Sequence, residues 1–322
     1  MSDQVRKLLK SFDEGRLSRR QLLQALGVGV ALRPALALAQ GSCGGDRKGT
    51  PECDPTPAKA PFASTGWKTV WLDHFTLQVA DYQKEAAYFA ALMNWKIRSD
   101  DGTKALLDIG DNTGGMLIKG GYVAPPAPPA PPAGAQGQGG QGRGPRNYTF
   151  EGFCWGITPW DTKKVEAELK ARGLNPVADH QGPDFQSFHV KDPNGFDVQI
   201  SNGSKANRRA TPAAGKTAAP APFASTNWTT NWLDHISFEV TDYKAAVAWY
   251  AALLGWTPGE DEGSQNQVQI GDIGDAIIRR SFRPGQTPDP AGTKRAAIGH
   301  IAFGISPWNV DAVKAELDKR SL

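Results

Sequence analysis

The chain writes one alternating pattern twice. In "WLDHFTLQVADY" from Trp71, His74, Thr76 and Gln78 fall on one face of an extended segment, and Phe75, Leu77 and Val79 fall on the other, because successive strand side chains point to opposite sides. In "WLDHISFEVTDY" from Trp232 the split is His235, Ser237 and Glu239 against Ile236, Phe238 and Val240. The apolar face of each strand predicts a covering helix. The polar face carries a histidine and lines either solvent or a cavity. Strict alternation places Asp73 and Asp234 opposite the histidines they precede, as strand-start or cap residues. The helix expected after the first strand shows apolar positions at Ala87, Phe89, Ala90, Leu92 and Met93. His300 obeys the same strand rule, sharing a face with Ala302 and opposing Ile301, Phe303 and Ile305.

These phrases belong to a long internal repeat. "APFASTGWKTVWLDH" from Ala60 matches "APFASTNWTTNWLDH" from Ala221, and about 20 of the 36 positions of Ala60–Trp95 are identical in the second copy. His74 and His235 lie 161 residues apart (235 − 74). A second echo follows each copy: "GFCWGITPWDTKKVEAELKARGL" from Gly152 parallels "HIAFGISPWNVDAVKAELDKRSL" from His300. Each half is therefore two smaller units, each opening with a strand and a helix. The "IGDNTGG" near Gly110 reads as a strand-connecting turn.

Low-complexity stretches punctuate the repeat. A Pro/Gly-rich insert at 123–147 separates the units of the first half, and 204–227 reads as an interdomain linker. The connection near Arg283–Arg295 is shorter and equally turn-rich. This division gives a first domain at 67–203 and a second at 228–322, preceded by a flexible segment at 40–66.

Residues 1–39 resemble a twin-arginine export signal: Arg19-Arg20, an apolar run Leu22–Leu32, then Ala37-Leu38-Ala39. The run is well short of the ~20 residues that span a bilayer, so the mature chain is expected to carry no transmembrane segment. The resemblance implies a periplasmic or extracellular protein. In such an oxidising compartment Cys43 and Cys53 could pair; Cys43 could instead carry lipid, although "QGSC" matches a lipid-attachment box poorly. Cys154, in an apolar strand, reads as a small buried hydrophobe. A formal net charge of +3 over 322 residues argues against nucleic acid or an anionic membrane as partner.

"LDHISFEVTDYKAAVAWYAALLGW" resembles the opening βα unit of the vicinal oxygen chelate superfamily of glyoxalases, bleomycin-resistance proteins and extradiol dioxygenases. "KDPNGFDVQI" from Lys191 resembles its closing strand. The resemblance implies an α+β fold of tandem domains, each made of paired βαβββ units forming a curved mixed sheet around a cavity. The second domain ends at Leu322, opposite Leu174 of the first, and is expected to be truncated at its C-terminus. The resemblance further implies a divalent metal held by a first-strand His from each unit and a last-strand carboxylate, an open set suited to Fe(II), with Mn, Ni or Zn as alternatives. The partner implied is a small chelating substrate or ligand. The halves would pair with each other or with a second chain.

In the second half His235 and His300 match the two histidine positions. The third, carboxylate ligand has no counterpart in the sequence. Glu239 shares the face of His235, but four residues along a strand span about 13 Å, which makes it a poor substitute. In the first half His74 matches, the second position falls on Gly152, and the third falls on the amide of Gln199. Asp197 lies two residues early, and His189 stands where dioxygenase-like members carry a pocket Tyr. The expectation is a metal-poor first domain with a cavity marked by His74, His189 and Gln199. The second domain is expected to be dioxygenase-like or glyoxalase-like. The alternative is a metal-free small-molecule binder of the bleomycin-resistance kind.

Overall fold

The structure, a computed structural model, describes residues 56–124, 147–209, 219–281 and 296–322. The export-signal region, Cys43, Cys53, the body of the Pro/Gly insert, the centre of the linker and the whole 283–295 connection lie outside the described residues. No helix among the described residues is long and apolar enough to cross a membrane.

Four units follow one another. The first is β1 (Lys68–Val79), α1 (Tyr82–Met93), β2 (Lys96–Asp100), β3 (Lys104–Ile109) and β4 (Gly114–Lys119). The second is β5 (Tyr148–Thr158), α2 (Thr162–Ala171), β6 (Val177–Ala178), β7 (Ser187–Lys191) and β8 (Asp197–Ser201). The third repeats the first as β9 (Thr229–Val240), α3 (Tyr243–Leu254), β10 (Thr257–Asp261), β11 (Gln265–Ile270) and β12 (Gly274–Arg280). The fourth contributes β13 (Ala296–Ser306) and α4 (Val310–Asp318). The strands form two curved, open, mixed sheets, ordered β2-β3-β4-β1-β5-β8-β7-β6 and β10-β11-β12-β9-β13. Within each, the first strand pairs parallel with its own fourth strand and antiparallel with the first strand of the next unit. The α+β architecture is the one expected.

Local signals start and stop the helices. Asp81, Asp161, Asp242 and Asn309 each accept the backbone N–H three residues on, at 2.9–3.1 Å, satisfying an otherwise orphaned donor of the first turn. α1 and α3 end at Asn94 and Gly255 in the left-handed region, φ 56° and 67°, where Asn and Gly are the tolerant residues. The buried face of α1 is Tyr82, Ala86, Ala87 and Ala91. This is rotated from the expected one, and Phe89 and Met93 pack at its margin. Three alanines let the helix approach the sheet closely, and this small-residue face overrides the larger apolar positions.

The apolar faces of the two sheets meet. Phe153 lies 5.5 Å from Phe238 and Trp155 lies 5.3 Å from Trp256, centroid to centroid. Phe75 stacks on Phe303 at 6.5 Å. The contact has an internal two-fold character. The indole N–H of Trp95 donates to Thr230 Oγ1 at 2.9 Å, and that of Trp256 donates to Thr69 Oγ1 at 3.0 Å. Thr65 N–H donates to Ala252 O at 3.0 Å, and Thr226 N–H donates to Ala91 O at 2.9 Å. The arm leading into the first strand of each half thus caps the helix of the other. Thr226 and Trp228, within the expected linker and the start of the second half, are part of these contacts. The polar faces look outward on opposite sides of the joint core.

Candidate functional site

On the outer face of the second sheet, two register rows run across three strands. Asp275 of β12, His235 of β9 and Ala302 of β13 form one. Ile277, Ser237 and His300 form the next. The rows bring the two imidazoles together, with His235 Nε2 2.7 Å from His300 Nε2 and the rings nearly perpendicular at 82°. At that spacing one nitrogen donates and the other accepts, so both ring nitrogens face the space between them. Nitrogens in adjacent positions around one ion, with bonds of about 2.0–2.1 Å, would lie about 3 Å apart. The pair therefore fits a single divalent ion after a small separation of the rings. His235 is largely buried and His300 is exposed.

Asp234 orients the first of these rings. Its Oδ2 lies 2.7 Å from His235 Nδ1, which places the proton on Nδ1 and leaves Nε2 as the acceptor or ligand. Its carboxyl is held below the ordinary range, chiefly by the hydrogen bond from His235. Asp73 does the same for His74, at 2.7 Å. Both aspartates were expected to face away from their histidines, and the structure corrects this. The ladder slips between Leu72 and His74 and, in the second sheet, between Leu233 and His235. Each aspartate is the extra residue of a β-bulge, which breaks strict alternation and re-aims its side chain. Sequence periodicity alone did not reveal this.

Around the pair the face is polar. Gln267 donates to Asp275 at 2.6 Å, Arg279 pairs in register with Glu239, and the Glu239 carboxylate stands against the face of Gly299, beside His300. Asp275, adjacent to His235 across the ladder, was not singled out from the sequence. The cross-strand register that places it there emerges only from the fold. β13 forms the edge of its sheet among the described residues. Trp308, which corresponds to Trp160 stacked on Phe188 in the first half, is 64% exposed.

The first half arranges its equivalents differently. His74, Cys154, Gln199 and His189 form one row across β1, β5, β8 and β7, so the three expected cavity residues do share a face. Gly152 is close-packed: a Cβ there would meet the Asp197 carbonyl oxygen at 2.0 Å. No side chain fits at the position of His300. Ligand-type atoms of Asp73, His74 and Cys154 lie within 4.8 Å of one another and all three residues are buried. Both Asp73 oxygens are engaged, however: Oδ1 by His74 and Oδ2 by the backbone N–H of Arg209 at 2.9 Å. Burial lowers the His74 pKa and outweighs the Asp73 carboxylate, so the ring is neutral. Burial pushes the Cys154 thiol well up, so it keeps its proton.

Asp179 and Arg209 complete this row and were missed in the sequence. Arg209 Nη1 donates to Asp179 Oδ2 at 2.6 Å, and His189 Nε2 and Gln199 Nε2 each approach the same oxygen at 3.2 Å. His189 also meets Asp197 at 2.5 Å. Burial opposes its charge, but the two carboxylates outweigh burial and hold its pKa at about 9. Arg208 and Arg209 lie in the stretch expected to be linker, and only the return of the chain over the sheet places them.

Residues 232–320 match the sequence model of the Glyoxalase/Bleomycin resistance protein/Dioxygenase superfamily. No curated protein matches the chain. Among solved structures, homoprotocatechuate 2,3-dioxygenase from Brevibacterium fuscum, in anaerobic complex with 3,4-dihydroxyphenylacetate, superposes with a TM-score of 0.51 at 14% identity. That match covers 83% of this chain and 72% of the other. An extradiol ring-cleaving dioxygenase from B. fuscum gives 0.50 at 14% identity, over 83% and 64%. Homoprotocatechuate 2,3-dioxygenase from Arthrobacter globiformis gives 0.50 at 12%, over 83% and 71%. The chain thus spans under two thirds of the length of the B. fuscum ring-cleaving dioxygenase. At these identities the likeness is one of fold.

Proposed function

We propose that the second half is a divalent-metal site, dioxygenase-like or glyoxalase-like, acting on a small substrate that chelates through two neighbouring oxygens. We propose further that the chain is exported. The observation that carries the metal reading is the approach of His235 Nε2 to His300 Nε2 at 2.7 Å. Those two nitrogens would hold the ion, with iron favoured for a two-histidine oxygen-chelating set and manganese, nickel or zinc as alternatives. When bound, such an ion supplies a Lewis acid with open positions for a chelating substrate. The chain's own residues do the rest. Asp234 fixes the tautomer and orientation of His235. Asp275 and Gln267, on the same face, offer hydrogen bonds to a polar ligand. The dihydroxyphenylacetate bound by the B. fuscum neighbour makes ortho-dihydroxyaromatics the first substrate class to try.

Metal-free binding of a small molecule is the second reading. It is favoured by the way the two imidazoles already satisfy each other through one shared proton. The test is anaerobic loading of the full-length protein with Fe(II), addition of a catechol, then air. Oxygen uptake with a ring-opened product supports the enzyme. Saturable catechol binding that needs no metal and consumes no oxygen supports the binder.

A further inference from the structure

The residues after β8 were expected to be linker, but up to Arg209 they form a strap folded back over the first sheet. Asn202 N–H donates to Gln186 O at 3.1 Å and Asn207 Nδ2 to Asp184 O at 3.1 Å. Arg208 donates to Asp108 at 2.9 Å, and the Arg209 carbonyl accepts from Arg98 at 2.9 Å. Arg209, the last described residue of this stretch, is pressed into the row of polar residues. Its backbone N–H holds Asp73 next to His74, and its guanidinium holds Asp179 next to Gln199 and His189. The side chain is 8% exposed. A buried guanidinium is tolerated only when it is paired, and here the nearby carboxylates supply the pairing.

We infer that Arg209 is the built-in cation of the first half, and that its strap keeps a latent Asp73–His74–Cys154 site closed to metal. The three groups are of the nitrogen, oxygen and sulfur types that take zinc-like ions. What shuts them is on either side. The Arg209 backbone N–H, which any residue at this position keeps, occupies one Asp73 oxygen, and the lock itself is the guanidinium's charge, which disfavours a second cation in the same hollow. The inference is independent of the reading of the second half, which contains no cysteine.

The test is cobalt(II) titration of the full chain in a Cys43→Ser, Cys53→Ser background, where Cys154 is the sole remaining thiol. A thiolate-to-cobalt absorption band reports this site alone. The Arg209-intact protein is expected to show no such band. Arg209→Ala is expected to gain one equivalent of cobalt with the band, and adding Cys154→Ser should remove the band. Arg209→Lys, which retains the charge, should stay silent. Arg209→Met, which keeps the bulk and loses only the charge, carries the test if the alanine variant does not fold. A band in the Arg209-intact protein overturns the inference, as does its absence from a charge-free variant with native far-UV circular dichroism.

Discussion

Gly152 and His300 occupy the same place in the two sheets: Gly152 pairs with Thr76 as His300 pairs with Ser237. The chain thus holds two versions of one architecture. One keeps a second histidine open at the edge strand, and the other closes that position with backbone packing. Gly152→Ala should therefore cost about 3 kcal/mol or more, beyond ordinary overpacking, because its Cβ would fall 2.0 Å from the Asp197 carbonyl oxygen. Urea unfolding checks this, and a near-neutral result would show that β5 and β8 can separate freely.

The reciprocal Trp–Thr contacts predict a symmetric pair of effects. Thr69→Val and Thr230→Val each remove the acceptor of a buried indole N–H, which costs about 1–3 kcal/mol. The two sites are separate, so the double mutant should lose the sum within about 0.5 kcal/mol. Unequal costs in denaturant unfolding would mean that the internal two-fold is not energetically even.

His189 sets a pH dependence. Its folded pKa of about 9 exceeds the ordinary value of 6.5, so the folded state binds its proton more tightly than the unfolded state does. The stabilisation is complete below about pH 6.5 and disappears as pH rises through about 9. His189→Gln should flatten this part of the stability–pH curve. An unchanged slope between pH 7 and 9.5 would assign it to other groups.

Asp234 acts on the proposed metal through His235. Asp234→Asn is expected to weaken divalent-ion affinity about 10–100-fold without changing the fold, because the side chain is half exposed. Titration calorimetry of the two proteins checks this, and wild-type affinity in the Asp234 variant would reduce the aspartate to a surface residue.

The repeat and the strand phases were legible in the sequence because each rests on a local rule, a repeated phrase or an alternation of apolar and polar positions. The meeting of His235 and His300 was legible as what the family resemblance implied, since both matched its histidine positions. The bulges at Asp73 and Asp234 were not, since one inserted residue leaves no mark in composition. Nor was Arg209, whose role depends on a chain reversal that brings residues 136 positions apart (209 − 73) into contact. The burial of the first half's polar face follows from that reversal. A strand polar on one side implied solvent or a cavity, and here its own strap covers it.

The central claim is that His235 and His300 hold one ion between them. Metal analysis of the full-length protein, loaded with iron, manganese, nickel or zinc and then desalted, tests it most directly. The account predicts one retained equivalent that is lost in both His235→Ala and His300→Ala, with unchanged far-UV circular dichroism. Wild-type protein that retains no ion, or either variant retaining it in full, would contradict the claim.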